Sequence, residues 1–539
     1  MAIPTSGARV RLGIITDGET LAFWEREAIR RLPAGTTLVP LVANEPPALT
    51  RQWARHAGYY ALNLLAVRNR MTRRVPLDWD TIGHPVEPPV SFVPEADGAW
   101  VRMPTAFLAR LRDLDLDAIY KGALNLLRIP PPDALSTPIL SYHHGDPRTY
   151  RGRPAGFYEL EAGEVRMGQM VQILSNRLDG GEVLAFAQTP VVPHSYRATL
   201  ERAYAASPYL LDEALERLAT GERIEMAREG RNHRLPSNAT VAKVGARLGA
   251  SKVRRAAYGA FVEKKWRVST LEIGDMPLTE ALTILEERRA AWQTLTVPPG
   301  YAFTADPFFH DDRDDRIVEA LDARTGKGQL LRLGGGTSER LTDGANHWSY
   351  PSSFVWQGER LLLPEMEASG RQQAFAIDRG KLVTRFTLNI DEPALVDPTL
   401  HVTDEGCFLF ANIAGEASGV LRLWSADLPD GRFEEHPASP VRVSSAGARM
   451  GGPILRQRGT LYRIGQDYRR AYGDGLILFE IEEMTATGYR EREVSRVAFD
   501  TVSGPHTLDL RDGLLMFDWY EDRLSPLAGV RRLGARIAR

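Results

Sequence analysis

The pattern of hydrophobic and polar residues in the first part of the chain predicts strands that alternate with helices. Residues 10–16 form a short apolar run, a turn signal follows at 17–18, and apolar residues then recur at helical spacing from Trp24 to Leu32. Further strand-like runs occupy 37–43, 118–120 and 139–142, and a helical stretch runs from about 200 to 218. This alternation is typical of a parallel sheet with crossover helices, so we predict an α/β, Rossmann-like first domain.

The pattern changes after Trp266, where short apolar runs alternate with turns rich in Gly, Asp, Asn and Pro. Strand–turn units that open on a glycine recur at 358–364, 380–383, 406–409, 459–462 and 513–516. Units at this spacing are more typical of β-propeller blades than of a β-sandwich, which is the alternative all-β architecture.

These two patterns divide the chain into domains. With 539 residues, the chain is too long for one ordinary hydrophobic core. We predict an α/β domain over 1–222, a polar and basic helical linker over 223–262, and an all-β domain over 263–539. We interpret the basic residues in and near the linker as a solvated helix face, namely His233, Arg234, Arg247, Lys252, Arg254 and Arg255.

Composition narrows the classes of partner and site. The net charge is −2, with 43% apolar and 25% charged residues, which gives no electrostatic case for nucleic acid or an anionic membrane as partner. Cys407 is the single cysteine, so neither an intrachain disulfide nor a cysteine-based zinc site can form. The sequence shows no signal pattern and no membrane-spanning apolar run, so we expect a cytoplasmic location.

Two short motifs in the first domain carry its candidate chemistry. One is the run Ser141-Tyr142-His143-His144-Gly145-Asp146-Pro147-Arg148-Thr149-Tyr150-Arg151-Gly152, and the other is Leu178-Asp179-Gly180-Gly181. Over residues 8–220 the sequence resembles the formyltransferase family that includes methionyl-tRNA formyltransferase and the sugar N-formyltransferases. That family carries Asn-x-His at a strand end, then Tyr/Trp-Arg-Gly, and Leu-Asp-x-Gly further along the chain.

The resemblance implies that His143 is the catalytic histidine, that Asp179 is the catalytic aspartate, and that 10-formyltetrahydrofolate is the donor substrate. The residue types suit this chemistry, because formyl transfer requires an amine to lose a proton and an oxyanion to be stabilised. A histidine that is tuned by a carboxylate can serve both needs. Ser141 stands where the family has its asparagine, so we expect Ser141 to supply the hydrogen-bond donor.

Four further residues are candidates for the same site. We expect His144 to assist catalysis, and Tyr142, Asp146 and Asn125 to contribute to the donor site; a structural role is the alternative for His144 and Asp146. Adjacent residues of a strand point to opposite faces, so the two histidines predict no metal site. The turn at 16–20 has one glycine and no dinucleotide-binding loop, which disfavours a nicotinamide cofactor.

Polar residues recur at the starts of strand units in the second domain, as in Ala305-Asp306-Pro307 and Val396-Asp397-Pro398. Over about 264–535 these fragments resemble the five-bladed propeller of furanosidase-type glycoside hydrolases. They are more similar still to the N-terminal module of plant glucosamine inositolphosphorylceramide transferases. Innermost strands line a propeller's channel, so we predict a sugar-binding ring of Asp306, His347, Glu365, Asp397, Arg449, Asp467 and His506, with aromatic faces from Trp348, Tyr350 and Tyr472. Because Asp-Pro pairs are also ordinary turn residues, a purely architectural role is the alternative.

These observations lead to one main hypothesis and two alternatives. The main one is an N-formyltransferase that moves a formyl group from 10-formyltetrahydrofolate to the amine of a small molecule, an amino sugar or glycoconjugate precursor. The propeller would then bind the sugar. The alternatives are a glycosidase or glycan-modifying enzyme centred on the propeller, and a catalytically silent binding protein with a formyltransferase fold.

Overall fold

The computed structural model describes residues 10–537 except 34, 46–52, 67, 125, 227–229, 367–370, 393, 415–418 and 469–472. The chain divides into two compact units, Met1–Lys252 and Val253–Arg539. The predicted linker range contains the last strand of the first unit and a long helix, Asn238–Phe261, within which the division falls.

The first unit is built on a mixed sheet. Its strands are β1 (Arg11–Thr16), β2 (Thr20–Ala22), β3 (Thr37–Ala43), β4 (Arg74–Pro76), β5 (Val90–Phe92), β6 (Glu95–Asp97), β7 (Trp100–Arg102), β8 (Ala118–Lys121), β9 (Ile139–His143), β10 (Tyr150–Gly152), β11 (Arg166–Ile173), β12 (Glu182–Pro190) and β13 (Arg231–His233). In the described part of this unit, seven strands form the main sheet in the order β12-β11-β9-β8-β1-β3-β5. The strands from β9 to β5 are parallel, whereas β11 runs antiparallel to both of its neighbours. The predicted parallel sheet is therefore extended by two strands at one edge.

Helices pack around this sheet. They are α1 (Phe23–Arg30), α2 (Trp53–Ala66), α3 (Thr105–Asp113), α4 (Phe157–Ala162), α5 (Tyr196–Ala206), α6 (Leu210–Thr220) and α7 (Asn238–Phe261), with short 3₁₀ turns at Trp79–Thr81 and Ser207–Tyr209. One core cluster joins Ile15, Leu41 and Ile119 of the central strands to Phe107 and Leu111 of α3. The predicted helix at 200–218 is two helices, because a 3₁₀ turn that contains Pro208 separates α5 from α6.

The second unit is a propeller, and its described residues form five sheets of four or five strands each. Four of these blades follow chain order. Blade 1 is β16 (Tyr301–Phe309), β17 (Arg316–Asp322), β18 (Gly328–Gly334) and β19 (Thr337–Arg340). Blade 2 is β20 (Trp348–Trp356), β21 (Glu359–Met366), β22 (Gln373–Asp378) and β23 (Lys381–Thr387). Blade 3 is β24 (Leu395–Thr403), β25 (Gly406–Ile413), β26 (Val420–Ala426), β27 (Glu434–Glu435) and β28 (Arg442–Val443). Blade 4 is β29 (Ala446–Met450), β30 (Leu455–Gln457), β31 (Thr460–Asp467), β32 (Leu476–Met484) and β33 (Tyr489–Val497). The prediction of a five-bladed propeller is confirmed.

Blade 5 is assembled from the two ends of the unit. Its order is β34 (Leu508–Arg511), β35 (Leu514–Leu524), β14 (Val262–Glu272) and β15 (Gln293–Thr294), so the first and last long strands pair along their lengths. Helix α8 (Leu278–Thr283) and a 3₁₀ turn at Arg289–Ala291 lie between β14 and β15, and α9 (Ala528–Ile537) follows β35. Leu508 donates a backbone hydrogen bond to the Gly451 carbonyl at 2.8 Å, which connects blade 5 to blade 4.

The innermost strands share one local irregularity. In β16, β20, β24 and β29 the register shifts at a bulge, and one residue in each bulge has a positive φ. These residues are Asp306 (45°), Tyr350 (45°), Asp397 (49°) and Gly447 (87°). A bulge changes the direction of neighbouring side chains, and residues of the candidate propeller site lie in these bulges.

Candidate functional site

The candidate site of the first unit lies beside β1, where successive strands are added first on one side of the sheet and then on the other. From β1 the chain adds β3 and β5 on one side and β8 and β9 on the other. In open α/β sheets, ligands bind at the carboxyl ends of the strands beside such a switch point. Lys121 ends β8 and His143 ends β9, so both residues belong to this edge of the sheet.

His143 is buried and has a partner at each ring nitrogen. Its Nδ1 lies 3.2 Å from Asp179 Oδ2, and its Nε2 lies 3.0 Å from the Tyr150 carbonyl oxygen. Both partners are hydrogen-bond acceptors. The predicted pairing of His143 with Asp179 is therefore present in the structure, whereas the catalytic roles of both residues stay predictions.

Asp179 is held by the segment that carries the Tyr-Arg-Gly motif. The Gly152 backbone N–H donates to Asp179 Oδ2 at 2.7 Å, and Gln172 Nε2 lies 3.4 Å from Oδ1. Asp179 has a φ of 46°, a left-handed conformation that aspartate tolerates better than most residues. Residues 150–152 thus contact both members of the pair, because Tyr150 accepts from His143 and Gly152 donates to Asp179.

Gly145 gives the main chain room to pass His143. A Cβ at Gly145 would lie 2.7 Å from His143 Nε2 and 3.0 Å from the Tyr150 carbonyl oxygen. Any larger residue here would have to move the imidazole ring. The glycine of the His-His-Gly-Asp run is therefore required for steric reasons.

Ser141 shares a strand face with His143, since side chains two residues apart in a strand point the same way. Its Oγ is 3.3 Å from the carbonyl oxygen of Tyr142. Across the sheet, Ser141 pairs in register with Gln172 of β11, the residue that contacts Asp179. A carboxamide therefore accompanies the serine on this face, although it comes from the neighbouring strand.

Tyr142 and His144 contact a different set of residues. The Tyr142 hydroxyl donates to the Ser207 carbonyl oxygen at 2.8 Å, and His144 Nε2 lies 2.8 Å from Ser207 Oγ. Both rings pack edge-on against Trp24, at centroid distances of 4.7 and 5.2 Å. Burial, with a smaller effect of His143, lowers the pKa of His144 to about 3, so this ring is neutral near pH 7. These contacts favour the structural alternative for His144.

The two remaining predicted donor-site residues have different outcomes. Asp146 caps its own turn, accepting from the Arg148 backbone N–H at 3.0 Å and forming an ion pair with the Arg148 guanidinium at 2.6 Å. Asn125 lies outside the described residues.

Several buried ionisable residues near this edge escaped the sequence analysis. Burial raises the pKa of Glu25 to about 7 and lowers that of Lys121 to about 8. Burial also raises the pKa of Glu159 to about 8, and its Oε1 has no hydrogen-bond partner among the described residues. Glu159 lines a small cleft together with His143 and Arg151. Only Lys121 had a signal in the sequence, as the one charged residue of β8, because the helices of Glu25 and Glu159 contain further charged residues.

In the propeller, one cluster of buried polar groups lies between blades 1 and 5. His506 Nδ1 lies 3.2 Å from both Asp306 Oδ1 and Asp518 Oδ2. Burial alone would lower the pKa of His506, but the two carboxylates outweigh it and raise the pKa to about 10. Burial alone would raise the pKa of Asp306, but the charge of His506 outweighs burial and lowers this pKa to about 2. One ligand atom from each of the three residues falls within 4.8 Å of the others, so this set could also hold a cation.

A second cluster joins blades 2, 3 and 4. Arg449 contacts both carboxylate oxygens of Asp397, and its Nη1 donates to the Tyr468 hydroxyl at 2.9 Å. Glu365 accepts the Asp397 backbone N–H at 3.0 Å. Burial, assisted by the charge of Asp397, raises the pKa of Glu365 to about 8. The structure therefore brings together Glu365, Asp397 and Arg449 as predicted.

The other predicted members of the ring lie beside these clusters. His347 Nδ1 accepts the Gly328 backbone N–H at 2.7 Å, and Asp467 accepts from Arg496 at 3.0 Å. Tyr472 lies outside the described residues, and the Tyr350 hydroxyl bonds the Gly452 carbonyl at 3.1 Å. Sequence reasoning missed Asp518 and Glu319, each of which lies within an apolar run of the second strand of its blade.

Comparisons with known proteins match a part of the second unit. Residues 336–508 match the family model of the N-terminal part of glucosamine inositolphosphorylceramide transferase 1. The protein of that name from rice (Oryza sativa subsp. japonica) is 32% identical over 213 residues, which cover 36% of this chain and 28% of the rice protein. The Arabidopsis thaliana protein is 30% identical over 208 residues, covering 36% of this chain and 27% of that protein. The chain thus spans less than a third of the length of these curated relatives.

Similar chains among solved structures include formyltransferases. Glycinamide ribonucleotide transformylase 1 from Symbiobacterium toebii has a TM-score of 0.27 and 18% identity, and the match covers 42% of this chain and 93% of that one. A sugar N-formyltransferase from a Shewanella species has a TM-score of 0.27 and 12% identity, covering 42% of this chain and 77% of that one. None of the described helices is both long enough and apolar enough to cross a membrane.

Proposed function

We propose that the first unit is an N-formyltransferase, with 10-formyltetrahydrofolate as the donor and the amine of a small molecule, an amino sugar or glycoconjugate precursor, as the acceptor. The observation that carries this proposal is the buried His143–Asp179 contact of 3.2 Å at the carboxyl end of the parallel strands. A histidine–carboxylate pair in that position suits proton transfer and oxyanion stabilisation in one reaction.

The mechanism follows from the partners of His143. Asp179 fixes Nδ1 and thereby orients the ring, and Gly152 and Gln172 fix Asp179 in turn. Nε2 lies 3.0 Å from the Tyr150 carbonyl oxygen and would exchange this contact for the reacting groups. As the amine attacks the formyl carbon and the new C–N bond forms, the amine would pass its proton to Nε2 of His143, and the resulting Nε2–H would donate to the oxyanion of the tetrahedral intermediate. When the C–N bond to the donor breaks, His143 would return this proton to the leaving nitrogen of tetrahydrofolate.

The test is turnover of 10-formyltetrahydrofolate by the full chain with a panel of amino sugars. His143→Ala should lower kcat by roughly 10²–10⁴-fold, the usual contribution of a positioned proton-transfer group. His84→Ala, at a half-buried histidine of the same unit that has no part in this site, is the matched control. Equal rates in wild type and His143→Ala would overturn the assignment. Donor binding without turnover over the whole panel would favour the catalytically silent alternative.

A second candidate function, a glycan-modifying activity in the propeller, is supported by one specific observation. Glu365 accepts the Asp397 backbone N–H at 3.0 Å, and burial together with the charge of Asp397 raises the pKa of Glu365 to about 8, so Glu365 is largely protonated at pH 7. A protonated carboxyl beside a second carboxyl group suits the general acid of glycoside chemistry.

This second candidate has its own assay. Aryl furanosides should release their aryl group, and Glu365→Gln should abolish the release. Asp397→Asn should also abolish it, because Asp397 shares the site through Arg449 and Glu365. No release by wild type over a panel of furanosides would remove hydrolysis from consideration and leave sugar binding.

A further inference from the structure

A cavity lies in the second unit, lined by residues of blades 2, 4 and 5 and of the turn after β14. Its volume is ≈ 460 Å³, within the range of small-molecule sites. None of the predicted ring residues lines this cavity, which is formed by Ser353 of β20, by residues 453–458 and by residues 509–513, among others. It is therefore a separate site from the clusters described above.

Four guanidinium groups line this cavity, from three different blades. Arg360 comes from β21, Arg456 and Arg458 from β30 and the turn after it, and Arg511 from β34. Within the described residues, none of the four has a carboxylate within ion-pair distance. Their contacts are with neutral groups: Arg360 is 3.4 Å from Ser353 Oγ, and Arg511 and Arg458 bind the main-chain carbonyls of His310 and Asp275.

Arg360 and Arg511 are both half-buried and lie close to one another. Burial, and then the charge of Arg511, lowers the pKa of Arg360, and the charges of Asp509 and Asp311 offset this only in part. Bringing two cations together in a partly desolvated cavity costs free energy unless an anion lies between them.

The acidic residues of the cavity do not fill this role. Both carboxylate oxygens of Asp509 accept backbone N–H groups, from Phe309 at 2.8 Å and Leu510 at 2.7 Å, and burial raises its pKa to about 6. Asp275 and Asp512 are exposed and lie in turns at the rim. Their carboxylates are placed to accept hydrogen bonds from hydroxyl groups of a ligand.

We propose that this cavity binds a phosphorylated sugar or polyol, with the phosphate between Arg360 and Arg511 and hydroxyl groups toward Asp275 and Asp512. Guanidinium groups supplied by three blades suit a tetrahedral dianion better than a planar carboxylate, which one guanidinium can satisfy in a bidentate pair. The cavity volume exceeds that of a bare phosphate ion and leaves room for a sugar. The site does not depend on the formyl-transfer proposal.

The first experiment is titration of the full-length chain with glucose 1-phosphate by calorimetry, beside glucose, inorganic phosphate and glucuronate. We expect glucose 1-phosphate to bind more tightly than the other three. Arg360→Gln should weaken it by roughly 10-fold to 100-fold, the effect of losing a charge-assisted hydrogen bond. Arg324→Gln, at an exposed arginine in a turn of blade 1, is the matched control and should bind like wild type.

A second variant separates loss of phosphate binding from loss of the folded structure. Arg456→Gln removes an exposed guanidinium with no described hydrogen bond, so it should weaken binding without changing the unfolding midpoint. Arg360→Lys should restore part of the affinity. Binding of glucuronate as tight as that of glucose 1-phosphate, or binding that Arg360→Gln and Arg456→Gln leave unchanged, would overturn the proposal.

The source of the phosphate can be resolved in the same series. Co-sedimentation with phosphatidylcholine vesicles that contain phosphatidylinositol distinguishes a lipid headgroup from a free sugar phosphate. Vesicle binding that Arg360→Gln abolishes would assign the cavity to a headgroup, and calorimetric binding alone would assign it to a soluble ligand. Binding in neither arm would overturn the proposal.

Discussion

At the scale of single residues, the first unit positions its reactive pair through main-chain groups. Tyr150 and Gly152 supply a carbonyl oxygen and an N–H, so the His143–Asp179 geometry depends on the path of residues 150–152 more than on their side chains. The Tyr150 side chain is directed elsewhere, because its hydroxyl bonds Glu164 at 2.9 Å. This explains chemically why a Tyr-Arg-Gly segment accompanies the histidine.

Gln172 is expected to be a positioning residue. Its Oε1 accepts the Gly181 N–H at 2.9 Å while its Nε2 faces Asp179, so it holds the loop that presents the aspartate. Gln172→Leu should lower kcat about 10-fold with little change in KM, measured by steady-state formyl transfer. Gln169→Leu, at another buried glutamine of β11 that has no contact with Asp179, is the control. Equal losses in both variants would indicate a general effect on stability.

Gly145→Ala should displace His143, since the added Cβ would lie 2.7 Å from Nε2. We expect a drop in kcat of at least about 10-fold, because a misplaced catalytic group loses most of its advantage. Gly249→Ala in α7 is the matched control, as its Cβ would meet no atom within 4 Å. Unchanged kcat in Gly145→Ala would show that the ring can move without cost.

The buried ion cluster of the propeller predicts how stability depends on pH. His506 has its pKa raised from 6.5 to about 10, so its contribution is complete below pH 6.5 and is lost as the pH rises toward 10. Glu365, raised from 4.5 to about 8, acts in the same direction, whereas Asp306, lowered from 3.8 to about 2, loses its contribution only in acid. Urea unfolding of the propeller should therefore show a falling midpoint between pH 6.5 and 10. His506→Gln should flatten this fall, and an equally steep fall in that variant would contradict the explanation.

At the scale of elements, the innermost strands of four blades share one backbone feature. In four of them a bulge contains a residue with positive φ, and proline follows it at Asp306, Tyr350 and Asp397. The Asp-Pro pairs were visible in the sequence, where a sugar-binding ring was predicted and ordinary turns were the alternative. Their common conformation became evident only once the strands were aligned as blades.

Asp397 tests the role of this conformation. Asp397→Asn and Asp397→Val both remove the charge beside Arg449, but asparagine tolerates a φ of 49° and a β-branched residue does not. We expect Asp397→Val to be less stable than Asp397→Asn by about 1–2 kcal/mol in urea unfolding. If the two variants unfold alike, the left-handed backbone at this position adds no strain.

At the scale of the whole molecule, the sequence predicted the architecture better than the sites. The spacing of apolar residues along the chain changes near Trp266. This change separates the α/β part from the all-β part, because helices and strands bury apolar residues at different spacings. The His143–Asp179 pair was predictable from motif order. Gln172 and Asp518 were not, because a single polar residue in an apolar strand gives no indication of which distant strand it will meet.

The fold of the second unit depends on the pairing of β14 with β35, because these two strands close blade 5. A chain that ends at residue 513 lacks β35 and leaves β14 and β34 without their shared neighbour. We expect its propeller to lose cooperative unfolding, followed by circular dichroism in urea, and to become sensitive to limited proteolysis. A chain that ends at residue 527 keeps the strand, loses only α9, and should remain cooperative. Cooperative unfolding of the shorter chain would show that four blades suffice.

The same closure has a consequence for synthesis on the ribosome. β14 leaves the exit tunnel long before its partner β35, because about 240 residues lie between Glu272 and Leu514. At about 5–20 residues per second, the long edge of β14 waits for roughly tens of seconds before it can pair. During that time it presents unpaired backbone groups that other nascent chains could use. Expression yield of this protein should therefore depend on translation rate and on chaperones that cover exposed strands.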